Sequence, residues 1–323
     1  MINKRLATSA VTAALTVAMT ASAAHAASGK IPQTLSVNSG SGVSFDQGLQ
    51  RRIAKAQAYA ASRPGVAGIV VRDRETGAVW RNANSKTHIW GCSTPKLAMV
   101  VDLLLRNDSG AITLTAGDHD LMQKMLHSSD DGAATTLWQR YGAEDYATRF
   151  PSYGMTDMKF TAEHPHTWGW ILTTANDLDR LMNHVLNKLP AIHRDYIIRE
   201  MRIVNPNQQW GVWGAGNAAS PGNKNGWSDD NDDGSWITNS VGFVGPKERF
   251  TVSIMNNTKV IEGGFDVGRE TTTRISSILF EGYFALKRDG RIVGDQGRVI
   301  ADAQAASDRV QELLGRNAHP GGR

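Results

Sequence analysis

The alternation of apolar and polar positions divides the chain into stretches of different period. Residues 45–61 carry apolar side chains at helical spacing and stop at Arg63-Pro64-Gly65, a helix-breaking cluster. Residues 66–72 are a β-branched run, and Glu75-Thr76-Gly77 turns it back into residues 78–80, which predicts a hairpin. Residues 94–106 are helical, and over 97–105 they are apolar almost all round, with Asp102 the sole charge. That is the pattern of a helix buried on every side. Two more helical stretches follow at 118–126 and 133–141, the second stopped by Gly142. Thr174-Ala175-Asn176-Asp177 then caps a helix whose Leu178, Leu181, Met182, Val185 and Leu186 form one face. Strands return at 223–227, 236–244 and 249–256, and a final helix over 267–286 carries Ile275, Ile278, Leu279 and Phe280.

This order predicts an α+β fold: an antiparallel sheet of about five strands, fed by both ends of the chain and flanked by helices, beside an all-helical lobe. The main domain is expected over 44–286, its α/β part being 44–90 and 221–286 and its helical lobe 91–220. Residues 287–323 read as a polar extension holding one surface helix, and no function is assigned to them. No internal repeat is present.

The first 26 residues depart from this pattern. Lys4 and Arg5 precede an apolar stretch over 6–21, and Ala24-His25-Ala26 follows, the arrangement of a cleavable export signal. Residues 27–43, rich in Ser, Gly and Asn, read as a flexible leader. The expected location is therefore secreted or in the cell envelope. Of the 35 basic residues, set against 31 acidic ones, the signal holds two, so the rest is nearly neutral and without like-charge runs. A nucleic-acid partner is not expected. At 41% hydrophobic and 20% charged residues, the composition is that of a globular chain. After residue 26 no apolar run is long enough to span a bilayer. The single cysteine, Cys92, excludes an intramolecular disulfide and lies far from the cleavage site.

Chemistry is suggested at three places. Ser93-Thr94-Pro95-Lys96 puts a hydroxyl and an amine three residues apart at the start of the buried helix, on one helical face. A serine nucleophile needs an adjacent base, and a lysine whose pKa is lowered by burial can be that base. The helix N-terminus adds free N–H groups where negative charge would develop. The alternative is a surface-facing helix start with a solvated lysine. Ser129-Asp130-Asp131 lies between two helical stretches, where Ser129 can shuttle a proton, or where the segment is simply a helix cap. Lys224-Asn225-Gly226-Trp227 opens a strand: Lys224 can bind a carboxylate and Gly226 allows close approach of a ligand, or the segment is a turn.

Taken in order, Ser93-Thr94-Pro95-Lys96 with Cys92 before it, Ser129-Asp130-Asp131 and Lys224-Asn225-Gly226 resemble the serine β-lactamase and penicillin-binding-protein superfamily, class A β-lactamases above all. The resemblance spans roughly 45–286 and implies the β-lactamase/transpeptidase-like fold. It further implies that Ser93 is acylated, Lys96 is its base or proton relay, and Ser129 passes a proton to the leaving group. Lys224 would hold the substrate carboxylate, with Asp131, Asn225, Gly226 and Trp227 around the substrate. The backbone N–H groups of Ser93 and Trp227 would form the oxyanion hole. Four departures stand out, the first being that the segment from Ser93 to Ser129 is short for a class A enzyme. Asp131 replaces the usual Asn, Asn225 replaces Thr or Ser, and no E-x-x-L-N sequence supplies a water-activating Glu. Glu163 is the nearby candidate for that deacylation base. The expected function is a secreted serine hydrolase that forms an acyl-enzyme on Ser93 with a β-lactam or D-Ala-type peptide amide, β-lactamase-like or D,D-peptidase-like. The alternative is a non-catalytic cell-wall or ligand-binding protein with degraded chemistry. A small molecule or cell-wall peptide is the expected partner of a monomeric chain with neither cofactor nor metal.

Other signals read more plainly. Asp229-Asp230-Asn231-Asp232-Asp233-Gly234 resembles half of a calcium loop, but Ser240 stands at the twelfth position, so an acidic hairpin turn is the better reading. His164 and His166 read as loop histidines. Nine tryptophans are many, and Trp90, Trp168, Trp170 and Trp227 lie near the motifs.

Overall fold

Asp46 starts the first helix by accepting the backbone N–H of Leu49 at 2.9 Å, and α1 (Gln47–Ser62) buries Leu49, Ile53 and Ala56. In the computed structural model residues 44–284 are described, apart from 143–144, 165–166, 230–233 and 260. The segments read as an export signal, a leader and a polar extension, together with His166 and most of the expected acidic turn, lie outside the described residues. The expected hairpin is β1 (Val66–Asp73) against β2 (Val79–Arg81), with Val71 opposite Trp80. A two-residue strand, β3 (Ile89–Trp90), leads to α2 (Lys96–Asp108), α3 (Ala116–His127), α4 (Asp131–Arg140) and α5 (Tyr146–Arg149). Next come β4 (Leu172–Thr173), α6 (Ala175–Asn187) and α7 (Ala191–Arg202). The chain returns through β5 (Gly222–Ser228), β6 (Ile237–Val244) and β7 (Phe250–Asn257) to α8 (Gly264–Phe280).

Five strands form one antiparallel sheet in the order β2-β1-β7-β6-β5, and β3 pairs separately with β4. Period-two alternation divides the sheet between two cores. Ile69 and Val71 of β1, with Val252 and Ile254 of β7, pack with Leu49 and Ile53 of α1 and Ile275 and Leu279 of α8. Val70, Val241 and Met255 face the other way, into a core shared with α2, α3, α4, α6 and α7. Each fully buried Leu, Ile or Val contributes about 1.5–3 kcal/mol. Strand β5 is left at the edge of the sheet.

Helix α2 is buried from Lys96 to Leu104, as its all-round apolar pattern predicts. Its Asp102 is satisfied by Arg149 Nε at 2.6 Å and by the Tyr153 hydroxyl at 2.9 Å. The capping box at Thr174 and Asp177 is formed in both directions. Several boundaries differ from expectation. Helix α4 begins two residues early because Asp130 caps it, accepting from Ala133 N at 2.6 Å. Helix α8 ends at Phe280, not at 286, because Glu281 leaves helical angles and Gly282 takes φ +70°. Helix α7 is unanticipated: its charged positions mask the buried Ile197, Ile198 and Met201. Strands β3 and β4 are too short to show a period.

Candidate active site

Ser93 lies in the turn between β3 and α2. That turn is fixed by Gly91 N donating to Ile171 O at 2.7 Å and Thr94 Oγ1 donating to Gly91 O at 2.8 Å. Cys92, just before Ser93, has φ +51°, a left-handed conformation that a non-glycine residue adopts only when its surroundings enforce it. One turn on, Lys96 is wholly buried. Its Nζ donates to Ser129 O at 2.6 Å and to Asp131 Oδ1 at 2.5 Å, and it lies 4.5 Å from the centre of the Trp168 ring. The solvated-lysine alternative does not hold.

Ser129 is the hinge of the arrangement. With φ +62° it turns its carbonyl to Lys96, while its Oγ accepts from Lys224 Nζ at 2.8 Å. The loop is a helix cap as well, but through Asp130 and not through Ser129. Lys224, on β5 and only 1% exposed, also donates to Asn225 O at 2.7 Å. Gly226 brings the edge strand against the Ser93 turn. A Cβ there would fall 2.6 Å from Gly91 O and 2.9 Å from Ser93 N, so only glycine permits the approach. Asn239, opposite Gly226 on β6, donates to Trp90 O at 2.8 Å and ties the sheet to the same turn. The three sequence motifs thus meet.

Burial lowers the Lys96 pKa. The hydrogen bond and charge of Asp131 oppose this, and the net shift is still downward. Lys224 lies well below the usual lysine range, first through burial and then through the charge of Lys96. Burial, helped by Asp131, pushes the Cys92 thiol up, so it is not a competing nucleophile. Two amines whose neutral form is favoured by burial, one on the Ser129 carbonyl and one on its hydroxyl, are placed for proton transfer beside Ser93.

A cavity of about 160 Å³ opens here, its walls including Ser93, Asp131, Trp90, Trp168, Trp170 and Trp227. Asn225 does not line it. Its buried amide accepts from Asn223 Nδ2 and Ser240 Oγ and donates to Gln208 O, so it braces the strand from within. Glu163 is exposed and off the cavity wall, with its carboxyl held below the usual range by hydrogen bonds from its own backbone and from Thr161. His164 stacks on Trp170 at 3.8 Å. Among the described residues no group of three or more His, Cys, Asp or Glu is gathered as a metal site. The sequence did not signal the anchoring by Asn239 or the cover that Trp168 places over Lys96. Asp131 was expected beside the substrate, and its ion pair with Lys96 is an addition that only the geometry reveals.

Residues 119–283, just over half of the chain, match the model of the Beta-lactamase enzyme family, and the chain belongs to that family. The match takes in Ser129, Asp131 and Lys224, while Ser93 and Lys96 precede it. The chain is also 30% identical over 216 residues to the protein named "Putative lipoprotein LppW" in Mycobacterium tuberculosis and Mycobacterium bovis, covering 64% of this chain and 68% of the relative. Among solved structures it is similar to PBP-A, with a TM-score of 0.60 and 18% identity over 73% of this chain and 96% of that one. A β-lactamase from Chitinophaga pinensis gives a TM-score of 0.61 and 17% identity, covering 73% and 99% of the two chains. At these identities the likeness is one of fold, and the fold is β-lactamase-like.

Proposed function

We propose that the protein is an active-site serine hydrolase that forms an acyl-enzyme on Ser93 with a cyclic or peptidic amide, a β-lactam or a D-Ala-type peptide. The observation that carries this reading is the convergence of buried Lys96 and Lys224 on Ser129, with Ser93 at the cavity beside them. In the proposed cycle Ser93 Oγ gives its proton to the Lys96 amine and bonds to the carbonyl carbon. The Ser93 and Trp227 N–H groups hold the oxyanion. The C–N bond breaks as the Ser129 hydroxyl supplies a proton to the leaving nitrogen and is reprotonated from the lysine side. Water then cleaves the ester and restores the Ser93 hydroxyl. Asp131, the carboxylate on the cavity wall, is engaged by Lys96, and Glu163 is off the wall. Both points support a slow second step.

Export to the cell envelope belongs to the same proposal. It is supported by the signal-like N-terminal segment and by the lipoprotein name of the mycobacterial relative. Among the described residues no helix is long and apolar enough to cross a membrane.

Intact-mass analysis with benzylpenicillin tests the proposal. A lasting adduct is expected on the wild type and none on Ser93→Ala. No adduct on the wild type at any concentration would favour a cell-wall or ligand-binding module instead. Turnover of a chromogenic cephalosporin is expected to be slow and unchanged by Glu163→Gln.

A further inference from the structure

A second cavity, of about 550 Å³, shares no wall residue with the one beside Ser93. The two lie at opposite ends of β5. Ser220, just before the strand, lines the second, and Trp227 and Ser228 at the far end line the first, so roughly 20 Å of strand separates them. The volume falls within the roughly 300–1,000 Å³ of pockets that enclose a small molecule. Four wall residues are cations, Arg74, Arg194, Arg202 and Lys247, against two carboxylates, Asp195 and Glu248. Each carboxylate is already engaged by a cation of the same wall. Arg194 Nε donates to Asp195 at 2.8 Å, and Arg202 Nη2 donates to Glu248 at 2.6 Å.

An excess of positive charge is left. Among the described residues Arg74 has no ion pair: its terminal nitrogens donate to the carbonyls of Lys247, Glu248 and Leu186 and to the Asn187 amide, all uncharged acceptors. The Lys247 ammonium, which is exposed, has neither hydrogen bond nor ion pair among the described residues. Arg194 bonds only through Nε, which leaves the terminal fork of its guanidinium free. Nε of Arg74 and Nε of Arg202 are buried without an acceptor, so the chain alone satisfies neither group. Burial lowers the Arg74 pKa; the charge of Glu248 opposes this and that of Arg194 adds to it. The wall is also held in place. Ser220, Lys247 and Glu248 have left-handed φ values of +46°, +56° and +51°, and Arg74 Nη1 clasps the Lys247 and Glu248 carbonyls at 2.8 Å each.

We propose that this second cavity binds a small molecule bearing a doubly charged oxyanion, a phosphate monoester or a dicarboxylate, held by the Arg194 fork, Lys247 and the charge of Arg74. A guanidinium fork matches the oxygens of either group, and the two excess cations match its charge. The site does not involve Ser93.

Isothermal titration calorimetry on the full chain, at about pH 8 and constant ionic strength, tests this with sodium phosphate, succinate and acetate, the last as a singly charged control. Saturable binding of phosphate or succinate is expected, about tenfold or more tighter than acetate, and the tighter of the two names the ligand class. Ser93→Ala is expected to bind equally well. Lys247→Asn removes the charge and suits the left-handed backbone, and Arg194→Gln removes the free fork. Each is expected to weaken binding several-fold, with thermal unfolding confirming the fold. Lys55→Gln, an exposed cation of α1 that is not on the cavity wall, is expected to change nothing. No saturable binding of either dianion, or equal affinity for acetate, overturns the proposal. So does wild-type affinity in both Lys247→Asn and Arg194→Gln, or an equal loss in Lys55→Gln.

Discussion

Asp131 is the residue whose placement most changes the chemistry. An amide at this position would donate and accept without charge, whereas the carboxylate accepts from Lys96 Nζ at 2.5 Å and favours the protonated amine. Burial works against it and prevails, leaving Lys96 lower than a free lysine. Removing the carboxylate removes only the opposing influence. Asp131→Asn is therefore expected to lower the Lys96 pKa further and to move the acid limb of the acylation profile to lower pH. The measurement is the pH dependence of penicillin adduct formation by mass spectrometry, and an unmoved or upward-shifted limb would contradict it. At this scale the sequence was partly legible. Ser93, Lys96, Ser129 and Lys224 were identified by spacing and resemblance, and the structure brings the last three into hydrogen-bonded contact. Asn225 was not legible, because nothing in a strand's sequence says that Gln208 and Ser240 will engage its amide.

Helix α2 and strand β5 do the positioning. The helix carries Lys96 into the core, and the cost of Asp102 in the same helix is offset by Arg149 and Tyr153. Asp102→Ala removes the buried carboxylate that binds the Arg149 guanidinium and the Tyr153 hydroxyl and is expected to destabilise the fold by about 3 kcal/mol, read by urea unfolding. A change under 1 kcal/mol would show the network to be dispensable. Strand β5 reaches the Ser93 turn only because Gly226 has no Cβ. Gly226→Ala is expected to part the two and slow adduct formation about 10²-fold while the protein stays folded. An unchanged rate would mean that the contact is not needed. The long elements were readable from their periods, since burial on one face or all faces writes itself into the sequence. Helix α7 was not, because its ion-paired Glu200, bonded to Arg199 and close to His127, looks solvent-facing on paper yet is buried.

Across the whole molecule, ionisable groups are buried on both sides of the sheet, and stability should depend on pH accordingly. Asp73, Asp118 and Glu200 are buried, which alone would raise their pKa values. Hydrogen bonds outweigh that, from Arg249 and the Glu75 backbone for Asp73, from the Thr115 backbone and Tyr141 for Asp118, and from His127 for Glu200, with Arg199 adding its charge. A carboxyl that is lower in the folded state than in the unfolded one contributes stability above the ordinary value of about 4 and loses it as pH falls through the folded value. Lys96 and Lys224 have the opposite charge type and are also lowered, so the unfolded state binds more protons and stability rises with pH up to the ordinary lysine value of about 10.4. The urea midpoint is expected to fall steeply below pH 4, and a flat midpoint from pH 7 to pH 3 would contradict these assignments. In the proposed cycle a buried amine, Lys96, activates Ser93. Time-resolved intact-mass measurement of benzylpenicillin acylation, comparing wild type with Lys96→Met and with thermal unfolding confirming the fold, tests it most directly. Acylation is expected to be slower by about 10²–10⁴-fold in the variant, and equal rates in the two folded proteins would show that Lys96 is not the activating base.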